Sequence, residues 1–174
     1  MNTMNLAEHL NRLSKGECRE ALLGCCASGS WVERMTAARP FESDQAVIDM
    51  SEKIWSSLDR GDWLEAFAAH PRIGDVDSLR AKFATTKAWA SQEQSAVSSA
   101  SEATLHELAA ANDEYARRFG YIFIVCATGK SADEMLAILQ SRLGNRPSAE
   151  LSIAAAQQLR ITKLRLQKLV ADEQ

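Results

Sequence analysis

The chain has little of what most site chemistries require. It holds only three histidines, and His9, His70 and His106 are scattered without the paired spacing of a zinc site. Four cysteines, Cys18, Cys25, Cys26 and Cys126, include no C-x-x-C pair, which argues against metal or disulfide chemistry. No apolar run approaches the ~20 residues of a membrane span. The opening MNTMNLAEHLNRLS alternates polar and apolar residues too closely for a signal peptide, so a cytoplasmic address is expected. There is no basic excess either. A net charge of −3 argues against nucleic acid or an anionic membrane as the main partner, so an anionic ligand needs a local cation.

What is present is helical periodicity over 174 residues, a length suited to one domain spanning 1–174. Leu6, Leu10 and Leu13 form one stripe, and Cys18, Leu22, Cys25 and Cys26 another, as buried small hydrophobes do. Ala46, Val47, Met50, Ile54, Trp55 and Leu58 make a longer stripe that Gly61 closes. Asp62 with Glu65 offers a capping box for the next helix, which His70 and Pro71 stop. A helix starting at Thr85 or Thr86 runs to about Val97, and another from Ser101 to Phe119, with Gly120 as a left-handed stop. Ser131 and Glu134 box the helix through Leu143, and Pro147 precedes the last and longest, Ser148 to about Val170. The pattern predicts an all-α bundle of about eight or nine helices.

One segment breaks the pattern. YIFIVCATG, residues 121–129, is apolar on both sides, rich in β-branched residues and bounded by Gly120 and Gly129. It reads as a short extended stretch near 121–128 in a chain with no second strand. Its backbone groups then need other partners: a ligand, side chains, or a short helix of their own.

Three residues stand out as carriers of chemistry. His70, held out of the α region by Pro71, projects from a helix exit as an acid or base, or caps the helix C-terminus. His106 lies on a polar face and His9 at a stripe edge. Glu93 sits on the apolar stripe of WASQEQSAV with Gln94 at its shoulder; a carboxylate there is paired, protonated or functional. Arg165 lies between Ile161 and Leu169 on the side of the last helix expected to pack inward. There it either forks onto a carboxylate, phosphate or carbonyl, or snorkels to water.

Together, His-Pro after an apolar helix, the Glu-Gln pair, RFGYIFIV and a terminal helix with RITKLRL resemble the 2-oxo-4-hydroxy-4-carboxy-5-ureidoimidazoline (OHCU) decarboxylases of urate breakdown. The resemblance covers about Trp31 to Leu169. It implies an all-helical fold, usually a homodimer, and decarboxylation of a small ureidoimidazoline to (S)-allantoin without cofactor or metal. Carried over, the catalytic set is His70, Glu93 and Arg165. Pro71, Gln94 and the main chain of Ile122, Phe123, Ile124 and Val125 become the substrate contacts. Ala90 stands where the family commonly has a serine. The competing readings are a non-enzymatic helical binding or regulatory module, and another lyase or hydrolase of ureido compounds.

Overall fold

The computed structural model describes residues 4–71, 75–84 and 94–171. Among them are nine helices and no strand: α1 (Leu6–Arg12), α2 (Lys15–Cys25), α3 (Gly29–Ala37), α4 (Asp44–Ser56), α5 (Arg60–Ala68), α6 (Val76–Ala84), α7 (Gln94–Phe119), α8 (Ala132–Leu143) and α9 (Pro147–Lys168). The all-α class is as expected. Helix starts are set by short polar side chains: Ser14, Ser28, Ser43, Asp59 and Ser131 each accept a hydrogen bond from the amide three residues on. Each satisfies an amide that has no partner inside its helix.

Several boundaries differ from expectation. The box that opens α5 is Asp59 with Asp62, one turn before the Asp62 and Glu65 pair, so Gly61 lies inside the first turn and does not end α4. A carboxylate three residues from a carboxylate serves both arms of the box as an Asp–Glu pair does. From Gln94 to Phe119 there is one helix of 26 residues, the longest among the described residues, with no break before Ser101. A serine inside a helix costs only a few tenths of a kcal/mol, less than nucleating a second helix. The short α6 was not foreseen, although Val76, Leu79 and Phe83 have helical spacing. The 122–127 segment is neither helix nor strand. At its ends Gly120 and Gly129 have φ of 81° and 74°, backbone that favours glycine.

By backbone proximity the chain divides into two compact units. The first comprises Met1–His70 with Ala155–Gln174. There α3 packs on α2, α4 and α5, and α1 on α4. The core includes Leu10, Cys18, Leu22, Trp31, Met35, Val47, Trp55, Phe67 and Leu166. Buried indoles bring an N–H that needs an acceptor. Trp55 donates to the Ala155 carbonyl at 2.9 Å and Trp31 to the Ser51 carbonyl at 3.3 Å. All four cysteines are buried and free, as the apolar-stripe reading anticipated for the three on or next to α2.

The second unit is Pro71–Ala154. Leu79, Phe83, Leu105, Leu108, Tyr115, Phe119, Met135 and Leu139 form its core, joining α6, α7 and α8. Into this core α8 sends a charge. The Arg142 side chain is 6% exposed and pairs with Glu150, which is fully buried. Its Nε donates to Glu150 Oε1 at 2.7 Å, and its Nη1 to the Ile124 carbonyl at 2.7 Å. Tyr115 Oη donates to Glu150 Oε1 at 2.5 Å, and the Asn145 amide to Oε2 at 2.9 Å. Burial pushes the Tyr115 hydroxyl far above its ordinary range, so it stays a donor. No helix among the described residues is long and apolar enough to cross a membrane.

Two expectations follow. Removing one member of the Arg142–Glu150 pair strands the other in an apolar core, at a cost of about 3–5 kcal/mol. Arg142→Leu is therefore expected to lower the urea midpoint sharply, and Arg142→Leu with Glu150→Leu to recover much of it. The thiols give the second. Burial raises Cys25 from 9.0 to about 12 and Cys26 from 9.0 to about 11. The folded chain thus keeps protons that the unfolded chain releases, so these groups' stabilisation is whole below about pH 9 and is lost as pH rises toward those values. Denaturant midpoints measured between pH 8 and pH 11 check this, with a declining trend expected.

Candidate active site

Pro71 explains the local geometry of His70. The residue before a proline is driven from α conformation, and α5 ends at Ala68 with Ala69 as its cap, leaving His70 just outside. The Ala69 amide returns to the Ala66 and Phe67 carbonyls, and the His70 amide to Phe67, so backbone closes the helix. The half-buried imidazole instead reaches α9, where its Nε2 lies 2.5 Å from Gln158 Oε1. The ring thus projects toward α9.

Gln158 is 1% exposed and belongs to a buried polar chain. Its amide nitrogen donates to Thr162 Oγ1 at 3.2 Å, and that hydroxyl donates to the Gln158 carbonyl at 3.0 Å. Sequence reasoning missed both residues, yet Glu150, Ala154, Gln158, Thr162 and Leu166 recur every fourth position, all buried. The signal was that spacing, hidden by its polar side chains.

Arg165 lies seven residues beyond Gln158. Two helical turns separate them, about 10 Å along the axis, on one face. The expected face is thus right and the expected burial is not. Arg165 is exposed, because the last turns of α9 are less covered than its middle. Its charge still reaches the Cys25 and Cys26 thiols, where it partly opposes the effect of burial. An exposed guanidinium keeps its fork open to a bidentate anion. His106, on α7, is exposed as expected.

In the second unit, the apolar segment meets a different fate from a strand. Arg142 holds the Ile124 carbonyl and lies 4.6 Å over the Phe123 ring, and Lys130 Nζ donates to the Cys126 carbonyl at 2.9 Å. Side chains thus take up the Ile124 and Cys126 carbonyls, one of the alternatives its sequence left open. Ile124 is buried, whereas Ile122, Phe123 and Val125 are partly exposed. Their four amides donate no hydrogen bond to any described group. Gln94 is the first residue of α7, and Pro71 is exposed. Glu93 and Ala90 lie outside the described residues.

Arg142 is the buried neighbour of this segment that sequence reasoning passed over. It stands three residues after Leu139 and seven after Met135, on the apolar stripe of α8, where a charge signals a buried partner. The partner, Glu150, sits in the first turn of α9.

Comparison with known proteins agrees with these features. The sequence profile described as OHCU decarboxylase matches residues 11–167. The chain is 38% identical over 149 residues to the uric acid degradation bifunctional protein TTL of Arabidopsis thaliana, covering 86% of this chain and 46% of that one. It spans about a third to a half of the length of the bifunctional relatives from that plant and two Bacillus strains. With the 2-oxo-4-hydroxy-4-carboxy-5-ureidoimidazoline decarboxylase of Haloferax volcanii it shares 24% identity over 95% of this chain and 96% of that one. A crystal structure of OHCU decarboxylase in the presence of (S)-allantoin matches with a TM-score of 0.70 and 39% identity, over 88% of this chain and 98% of that one. The crystal structure of (S)-allantoin synthase shares the fold, with a TM-score of 0.66 at 19% identity over 94% and 53% of the two chains. A profile spanning both units, and a solved relative matched almost end to end, lead to one conclusion: the chain belongs to the OHCU decarboxylase family.

Proposed function

We propose that the chain decarboxylates 2-oxo-4-hydroxy-4-carboxy-5-ureidoimidazoline to (S)-allantoin without a cofactor, with residues 1–174 acting as one domain. The observation that carries this reading is the placement of His70 at the exit of α5, bonded to Gln158, with Arg165 open on the same face of α9. Decarboxylation usually borrows an electron sink such as pyridoxal phosphate. This substrate has its own, a carbon–nitrogen double bond next to the carbon that loses carbon dioxide. When the carbon–carbon bond breaks, its electron pair forms a double bond to the imine carbon, and the former imine pair moves onto the ring nitrogen, which takes up a proton. The neighbouring hydroxyl then collapses to a carbonyl as its proton leaves, and the former imine carbon gains a proton.

The protein's part is to orient the substrate, balance charge and move protons on one face. His70 serves as the acid/base for the hydroxyl proton or the returning one, and Glu93 orients it and supports its charge. Arg165 holds the carboxylate or a ring carbonyl, Gln94 the ureido or ring amides, and Pro71 lines the site. The amides of Ile122, Phe123, Ile124 and Val125 supply donors, in keeping with their lack of partners among the described groups. A single proton donor accounts for a chiral product. A homodimer in the cytoplasm completes the proposal; sedimentation at micromolar concentration checks the dimer.

Substrate generated from urate by urate oxidase and a hydroxyisourate hydrolase provides the assay. The chain is expected to give optically active allantoin faster than the spontaneous reaction, and racemic product at the spontaneous rate would overturn the proposal. His70→Asn is expected to cut turnover by about 100-fold or more, the scale of lost general acid/base catalysis, with the fold intact by circular dichroism. Arg165→Lys is expected to impair kcat/KM despite retained charge, since an ammonium cannot make a two-point fork. Unchanged kinetics in that variant would remove Arg165 from substrate binding.

A further inference from the structure

The amide of Gln158 has a fixed orientation. Thr162 Oγ1 has one proton, and it is directed at the Gln158 carbonyl 3.0 Å away. Toward the Gln158 side chain the same oxygen is therefore an acceptor, and it must meet the NH2 end of the amide, at 3.2 Å. The other end, Oε1, is left for the imidazole at 2.5 Å. An amide oxygen only accepts, so the ring nitrogen facing it must carry a proton.

We propose that Gln158 is a positioning residue that holds His70 as the Nε2–H tautomer, so that Nδ1 is the nitrogen that takes up and releases the proton in turnover. This deepens the reading of His70 as the acid/base and rests on it. The device is a buried relay: Thr162 sets the amide, the amide sets the ring, and Pro71 fixes where the ring leaves the backbone. A histidine's reactive nitrogen is selected by the hydrogen bond its other nitrogen makes. Gln158 and Thr162 are each 1% exposed, so water does not compete for either link.

Nitrogen-15 NMR of the imidazoles tests this directly, since the chain has only three histidines and the His70 signals are those absent from His70→Asn. A free imidazole is a mixture of neutral tautomers about two units above its ordinary value of about 6.5, and spectra are compared at the pH where the His70 signals no longer move. The native chain is expected to show His70 as a single Nε2–H tautomer. In Gln158→Leu a mixture should appear and kcat fall about tenfold, with KM changed less than about twofold. Gln158→Glu, which keeps an acceptor, should restore the single tautomer and most of kcat. Thr162→Val, nearly isosteric, frees the amide to turn and should also give a mixture, which guards against a Gln158→Leu chain that fails to fold. An Nδ1–H tautomer or a mixture in the native chain would overturn the proposal, as would a Gln158→Leu chain with unaltered tautomer and kcat. A chain that shows the single tautomer but no decarboxylation would overturn the proposed activity and leave the positioning by Gln158 standing.

Discussion

A guanidinium taken out of water has to be met on every side, and in the second unit that requirement organises what surrounds Arg142. Glu150 neutralises it, Tyr115 and Asn145 satisfy the carboxylate, and the ring of Phe123 takes one face of the cation. The last donor goes to the Ile124 carbonyl, so an ion pair becomes the anchor of a segment with no ladder of its own. Such a pair is poor evidence for stability, because desolvation cancels much of its attraction. Its value here lies in geometry: it fixes main chain that neither helix nor sheet would fix, by way of the Ile124 carbonyl.

The first unit handles its polar interior differently. Between α9 and the end of α5 the described residues form a run of donors and acceptors from Thr162 through Gln158 to His70. Neutral groups cost less to bury than ions and keep direction, which is what a ring with two inequivalent nitrogens needs. The proline after His70 completes the restraint from the backbone side.

Much of this was legible in the residues. His-Pro gave the helix exit, Gly120 and Gly129 bracketed the irregular segment with the positive φ they adopt, and Ser131 with Glu134 gave the start of α8. What escaped has physical reasons. The start of α5 was misplaced by one turn because Asp59, Asp62 and Glu65 offer two overlapping capping signatures, and local chemistry alone does not rank them. The serines near 98–101 suggested a break that a continuing helical ladder overrides. The buried face of α9 was hidden because Gln158 and Thr162 are polar, and a rule that equates burial with apolarity cannot see an inward-facing amide. Arg165 was given the right face and the wrong depth, since periodicity reports direction and says nothing of how far a neighbour extends along the helix. Glu93, the remaining member of the proposed catalytic set, lies outside the described residues.

The exposure of Arg165 has a consequence of its own. A cation that stays in water acts at range, across a distance set by the ionic atmosphere, about 8 Å at physiological strength. Its pull on an anion is felt before contact, and each added millimole of salt weakens it. A buried guanidinium such as Arg142 is nearly blind to that medium. The two arginines therefore meet the solution differently: the field of one is confined to its buried partners, and the field of the other extends into solvent and changes with the salt there.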